Sequence, residues 1–193
     1  MPTPEVGALA LLETRRTIPT FQMGEPGPSD AEIERMIAIA VRVPDHGKLA
    51  PWRFVLHRGD ARAVLDAKLL PLWDARFPDA PAPKRQAEAT RFSAVPLTIG
   101  VISTAAEHFK IPVWEQELSA GAAIMNLMLA AHALGYAAQW LTGWCCYDAE
   151  AKAILGAKPG ERFAGLVAIG TPTAAPVDRP RPAYSDVVTE WSA

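Results

Sequence analysis

The stretch W-E-Q-E-L-S-A-G-A-A-I-M-N-L-M-L-A-A-H-A-L, Trp114 to Leu134, decides the fold. Its charge-free part, Leu118 to Leu134, is 17 residues long. At 1.5 Å per residue that is about 25 Å of helix, short of a hydrocarbon core of about 30 Å. The segment therefore reads as a buried helix and not as a membrane span. A helix that is apolar on almost every side has to be covered on all of them, and a domain this small is expected to need a second chain to do so. Ser119-Ala120-Gly121-Ala122-Ala123 adds a run of small side chains. Another backbone or a flat ligand can approach closely there, and tight helix packing alone explains the run equally well.

Outward from this helix, Gly135 falls where a left-handed cap would end it. Ala137 to Leu141 and Phe163 to Ile169 read as strands, separated by a short helix that Asp148 can cap. Leu97 to Ser103 reads as a strand with apolar side chains on both faces, and so buried on both. Nearer the start, Glu5 to Arg15 carries a helical stripe at Val6, Leu9 and Leu12. Ser29 stands three residues before Glu32, the spacing of a capping box, and opens a helix that buries Ile33, Met36, Ile37 and Ala40 until Pro44 stops it. Arg53 to His57 suits a strand, and Asp60 can then cap a helix through Leu70. Pro71 to Pro83, with four prolines, reads as a loop, and Lys84 to Phe92 as a polar surface helix. From Thr171 the chain is proline-rich and extended. Helices and strands mix without strict βαβ alternation, so the class is α+β: helices packed on a small, mostly antiparallel sheet.

The 193 residues, half of them apolar and 21% charged, fit one domain over 1–193. A net charge of −2 removes the electrostatic case for a nucleic-acid binder. The only cysteines, Cys145 and Cys146, are adjacent, a spacing that rarely satisfies disulfide or metal-site geometry. A reducing cytoplasm follows as the simplest expectation. Met1 to Leu12 lacks the basic start of a signal peptide, and no membrane association is expected.

The chain shows no glycine-rich phosphate loop, no H-E-x-x-H and no G-x-S-x-G elbow. No metal and no catalytic nucleophile is assigned. Three segments remain. Arg15-Arg16-Thr17 sets two guanidinium groups and a hydroxyl where a helix ends, which suits a phosphate with an adjacent polyol, although basic residues also favour helix C-termini for the dipole alone. Arg42 to Phe54, connecting the second helix to the first strand, is dense in donors and could hold the edge of a heterocycle, with Lys48 or His46 supporting negative charge on it and a solvated loop as the plain alternative. Gly135 to Trp144 follows the long helix and carries two tryptophans.

Taken in order, R-R-T, A-x-R-x-P-D-H-x-x-x-x-P-W-x-F, W-E-Q-E-x-S-A-G, L-G-Y-x-x-x-W and a final G-T-P resemble the flavin-dependent nitroreductase family, most closely its short-chain branch with P-D-H before Pro-Trp. The similarity runs from about Leu11 to Asp186. It implies an FMN-binding, nitroreductase-like α+β fold, working as a homodimer with the long central helix at the interface and a flavin at each seam. Carried over by position, Arg15, Arg16 and Thr17 match phosphate and ribityl contacts. Arg42, His46 and Lys48 match the loop that reaches a flavin held mainly by the other subunit. Gln139, Trp140 and Leu141 match the strand that lines the isoalloxazine, and Arg181 matches a basic tail residue for the phosphate. Thr17 stands where serine is common, Ala50 where many relatives have glutamine, and Leu141 where some have a basic residue.

The resemblance implies an NADH- or NADPH-dependent oxidoreductase that reduces a small-molecule acceptor, nitroaromatic or quinone-type, by ping-pong hydride transfer. The cofactor carries the redox chemistry, so no catalytic side chain is named. A flavin-binding or flavin-storing dimer without turnover is the alternative, and a plain structural dimer the third.

Overall fold

The computed structural model describes residues 6–192. Helix α1 (Val6–Thr14) occupies most of the expected first helix, whose start at Glu5 lies outside the described residues. A short strand, β1 (Met23–Gly24), follows and has no counterpart in the sequence reading. Helix α2 (Asp30–Ala40) opens with the expected capping box: Ser29 Oγ accepts Glu32 N–H at 3.4 Å and the Glu32 carboxylate accepts Ser29 N–H at 2.9 Å. Glu32 also accepts the Tyr136 hydroxyl at 3.0 Å, and these bonds, those to Ser29 foremost, lower its pKa.

After β2 (Trp52–Arg58), helix α3 (Ala61–Arg76) corrects two expectations. It runs straight through Pro71, so the supposed 71–83 loop shrinks to the short link before α4 (Ala82–Ala89). An interior proline costs a helix about 3 kcal/mol. Leu69 and Trp73, on either side of it, are both buried, and each large apolar side chain taken out of water returns roughly 1.5–3 kcal/mol. Nor does Asp60 cap α3, because its backbone is already helical and its side chain makes no cap bond. Helix α4 ends at Ala89 and not at Phe92. The buried Asp66 carboxylate accepts the backbone N–H groups of Phe92 and Ser93 at 2.8 and 2.9 Å, which draws the chain out of helix and seats Phe92 in the core.

The remaining elements are β3 (Leu97–Ser103), α5 (Val113–Ala133), β4 (Ala137–Leu141), α6 (Ala149–Ile154), β5 (Arg162–Pro172) and a short α7 (Tyr184–Val187) in the otherwise extended, exposed tail. Gly135 takes the left-handed cap after α5, and Asp148 accepts Glu150 and Ala151 N–H to cap α6, both as expected. All strand pairings are antiparallel. Strand β5 is the spine: β3 and then β2 lie on one side of it, while β4 and β1 pair with its other side.

Every residue of β3 is buried, because the sheet is covered on both faces. Leu97, Ile99 and Val101 pack with Ile33, Met36, Ile124 and Leu127 of α2 and α5. Ile102 packs on the opposite face with Leu69, Phe92, Leu155 and Leu166. Opposite β3 the register of β5 slips by one residue, so that Val101 pairs with Gly165 and Ile102 with Phe163. Ala164 is the bulged residue, and its carbonyl, freed from that ladder, accepts the Trp140 indole N–H at 3.2 Å. The indole lies so close to Gly165 that a Cβ there would collide with it.

Candidate functional site

The polypeptide leaves α1 through Arg15, whose N–H still bonds Leu11 O at 2.9 Å, and Arg16. Arg16 grips Asp178 of the tail in a two-pronged pair, Nε to Oδ1 at 2.5 Å and Nη2 to Oδ2 at 2.7 Å, and donates through Nη1 to Glu13 O at 2.8 Å. This arginine holds the Asp178 carboxyl below the usual range. Arg181 reaches the same carboxylate at 3.4 Å and donates to Arg179 O. Among the described residues, Arg15 Nη1 is buried without a hydrogen-bond partner. Burial first, and then the charges of Arg181, Arg16 and Arg179, push the Arg15 pKa down. Two guanidinium groups, of Arg16 and Arg181, thus meet one carboxylate, and Arg15 lies within reach of their charges and that of Arg179 with a buried N–H that has no partner among the described residues. Such a cluster is made for an anion with several acceptor oxygens. Thr17 lies exposed beside it.

The second expected segment is a strained turn between α2 and β2. Gly47, Lys48 and Ala50 all have positive φ, at 76°, 56° and 47°. Left-handed backbone at non-glycine residues persists only where the surroundings enforce it. Here the Asp45 carboxylate accepts Leu49 and Ala50 N–H at 3.0 and 2.8 Å, and Ser119 of α5 donates to Pro44 O at 2.7 Å. Gly47 lies so close to Ile111 that a side chain would not fit. Asn126 donates to Arg42 O at 3.0 Å, and His46 Nδ1 sits 2.7 Å from the Glu115 carboxylate. Arg42, His46 and Lys48 are all exposed on this turn.

In the third segment, Gln139 Oε1 accepts Thr20 N–H at 3.0 Å, so β4 is fastened just beyond the Arg15-Arg16-Thr17 segment. Leu141 is half-buried, and Trp140 lies on the solvent side of β4 at 42% exposure. The structure therefore brings Arg15, Arg16, Thr17, Gln139 and Arg181 to one end of the molecule. It does not bring His46 there. His46 is held at Glu115, near the start of α5, whereas Arg16 O is held by His132 on its last turn. These anchors are 17 residues apart, or about 25 Å along the helix. Sequence reasoning missed Arg179, Asp178 and His132. The D-R-P-R-P spacing carried a signal for the first two, whereas a lone histidine on an apolar helix carried none.

Among the described residues, nothing covers one side of α5. Trp114 and Leu118 are 60% and 62% exposed and form a ridge with a cleft on each side. A cleft of about 610 Å³ separates the ridge from Trp140 and Phe163, and one of about 330 Å³ separates it from Pro44 and His46. Gly121 and Ala122 lie at the ridge's foot, open to a close approach. Among the described residues no helix is long and apolar enough to cross a membrane, and no group of three metal-ligating side chains converges.

The model of the nitroreductase family matches residues 12–171. An Escherichia coli protein with the provisional name NAD(P)H nitroreductase YdjA is 32% identical over 165 residues, covering 86% of this chain and 88% of that one. A Haemophilus influenzae protein, also provisionally named an NAD(P)H nitroreductase, is 34% identical over 165 residues, covering 85% and 88%. Among solved structures, a nitroreductase-like family protein from Bacillus cereus covers both chains fully, with a TM-score of 0.83 at 19% identity. A Desulfovibrio desulfuricans structure in complex with FMN gives 0.74 at 22% identity, covering 98% of this chain and 99% of that one. The chain belongs to the nitroreductase family, and its architecture of helices on both faces of a five-stranded antiparallel sheet is the α+β fold read from the sequence.

Proposed function

We propose that the protein is an FMN-dependent NAD(P)H oxidoreductase, working as a homodimer with one flavin-binding domain per chain. The observation that carries this reading is the buried Arg15 Nη1, without a partner among the described residues and inside a cluster of four arginines, which fits a phosphate dianion. With FMN bound, the chemistry supplied is uptake of a hydride from NADH or NADPH and its delivery, in ping-pong order, to a nitroaromatic or quinone-type acceptor. The names of the relatives and the FMN complex of a structural neighbour support the same choice of cofactor and donor.

The residues divide the work. Arg15, Arg16 and Arg181 hold the phosphate, with Thr17 beside the ribityl chain. Gln139, Trp140 and Leu141 line the ring along β4, where main-chain groups do much of the binding. Arg42, His46 and Lys48 support negative charge at the ring of the flavin held by the other copy. The spacing along α5 supports that division: the arginines and His46 are anchored about 25 Å apart along the helix, and a second copy seated on the Trp114–Leu118 ridge would offer its own turn. The two buried free thiols, Cys145 and Cys146, agree with a reducing cytoplasm.

The test is anaerobic stopped-flow mixing of the purified, yellow protein with NADH and with NADPH. Loss of flavin absorbance with at least one donor, and its return on adding a nitroaromatic or quinone, is the expected result. A protein that binds FMN but is bleached by neither donor is not this enzyme, and one that stays colourless with excess FMN does not bind the flavin at all.

A further inference from the structure

The link between α3 and α4 shapes a cleft of about 570 Å³, and no step of the proposed reaction uses it. Helix α3 passes Pro71 and ends where Phe77 N–H bonds Trp73 O at 2.8 Å. The Trp73 and Phe77 rings lie 5.4 Å apart between centroids, tilted by 41°, and Trp144 stands edge-on to Phe77 at 6.3 Å. Trp73 is buried, while Phe77 remains 42% exposed on the cleft. A cleft of this size with an open aromatic wall suits a flat organic molecule. Pro78 and Pro81 fix φ in the link, so its shape is set before a ligand arrives and little ordering entropy is lost on binding.

The charged groups on the cleft divide into those already matched and those that are not. Arg76 donates to Asp148 at 3.0 Å and to Glu150 at 3.4 Å, while Glu88 accepts Arg91 Nε at 2.7 Å and Trp144 Nε1 at 3.0 Å. Just outside, Arg85 and Asp74 form a two-pronged pair at 2.8 and 2.7 Å. Two groups remain. Among the described residues, neither the Lys84 ammonium nor the Asp79 carboxylate has a partner, and although both line the cleft they do not pair with each other. A simple acid drawn to Lys84 is repelled by Asp79, and a simple amine drawn to Asp79 is repelled by Lys84. A molecule carrying both signs satisfies both groups and brings no net charge.

We propose that the cleft between α3 and α4 binds an aromatic α-amino acid, its ring against Phe77, its carboxylate at Lys84 and its ammonium at Asp79. The free pair of opposite charges selects the zwitterion, and the open ring selects the aromatic side chain.

The experiment is calorimetric titration of the FMN-saturated protein with L-tryptophan, with indole-3-propionate, which lacks the amine, and with tryptamine, which lacks the carboxylate. Tryptophan is expected to bind about fivefold more tightly than either analogue, the upper range of one exposed ion pair. Lys84→Met should weaken tryptophan about fivefold and leave tryptamine no weaker. Asp79→Asn should weaken tryptophan by a similar factor and leave indole-3-propionate no weaker. Both side chains are exposed, so neither substitution touches the core. No binding at millimolar concentration, equal affinities for the three compounds, or affinities that neither substitution moves overturns the proposal. Tryptophan that shifts the flavin absorbance and is indifferent to both substitutions sits at the flavin instead, and overturns it equally. Flavin-free protein is expected to give the same constants, so a failure of the flavin reading leaves this test intact.

Discussion

Gln139 and Thr20 are 119 residues apart in the chain, yet the amide oxygen of one accepts the backbone N–H of the other at 3.0 Å. This bond joins β4, which is proposed to line the ring, to the turn that follows the proposed phosphate arginines. Replacing Gln139 by Leu leaves the half-buried Thr20 N–H without a partner, at a cost of about 1–3 kcal/mol. The expected outcome is FMN affinity weakened roughly five- to tenfold, with a lowered urea midpoint, read by flavin titration and circular dichroism. An unchanged dissociation constant would show that the two segments act independently.

The role proposed for Arg15 comes at the expense of stability. Its Nη1 is buried with no partner and its neighbours are cations, so removing it relieves the ligand-free protein of an uncompensated charge. Arg15→Ala is expected to lose at least about tenfold in FMN affinity, on the order of the 1.5–3 kcal/mol of a charged hydrogen bond. Its urea midpoint without FMN should equal or exceed that of the wild type. Equal losses in binding and in ligand-free stability would make Arg15 an ordinary structural residue.

Acid sensitivity has a definite source on the far side of the sheet. The Arg53 guanidinium closes on Glu161, with Nε to Oε1 at 2.8 Å, and holds the Glu161 pKa down to about 2, helped by Lys158 N–H. In the unfolded chain a glutamate titrates near about 4.3. The folded protein thus binds this proton less tightly, so the pair's contribution is complete above about pH 5 and is lost as pH falls toward 2. Glu161→Gln should be less stable than wild type at pH 7, with the difference shrinking below about pH 5 and gone only once the pH has fallen through the folded pKa, at about pH 1, measured as urea midpoints at several pH values. A difference that persists at the lowest pH would place the stabilisation elsewhere.

The α5 ridge gives a separable test of assembly. Leu118 is 62% exposed within one chain, so Leu118→Glu leaves the core untouched. It is expected to convert a dimer into a monomer in sedimentation, with unchanged far-ultraviolet circular dichroism and loss of bound flavin. A variant that sediments as a dimer and keeps its flavin removes this face from the interface.

Much of this was legible in the sequence wherever the governing interaction is local. Ser29 and Glu32 announce their own capping box, Gly135 its left-handed turn, and the unbroken apolar run its buried helix. Pro71 reads as a helix breaker, but that local rule is overridden by the burial of Trp73 and of Leu69, the latter against Ile102 and Leu166 of a sheet formed by distant residues. Phe92 reads as helical from its neighbours because nothing nearby announces Asp66, which takes its N–H from 26 residues away. In the site, the arginine pair and Arg181 could be named from motifs. That His46 and Arg16 lie at opposite ends of one helix is a matter of three-dimensional distance, invisible to any spacing in the chain. Arg179 and His132 went unassigned for the same reason, since their significance lies in what faces them.

The separation of the two half-sites along α5 has a genetic consequence. If each flavin is shared between copies, a chain crippled at Arg15 and a chain crippled at Lys48 fail in different halves of the pocket. Co-expressed, they form hybrid pairs in which one pocket inherits both lesions and the other neither. Two inactive alleles should therefore rescue each other, to no more than about half of a normal complement of working pockets per hybrid, and no pairing of an allele with itself should do so.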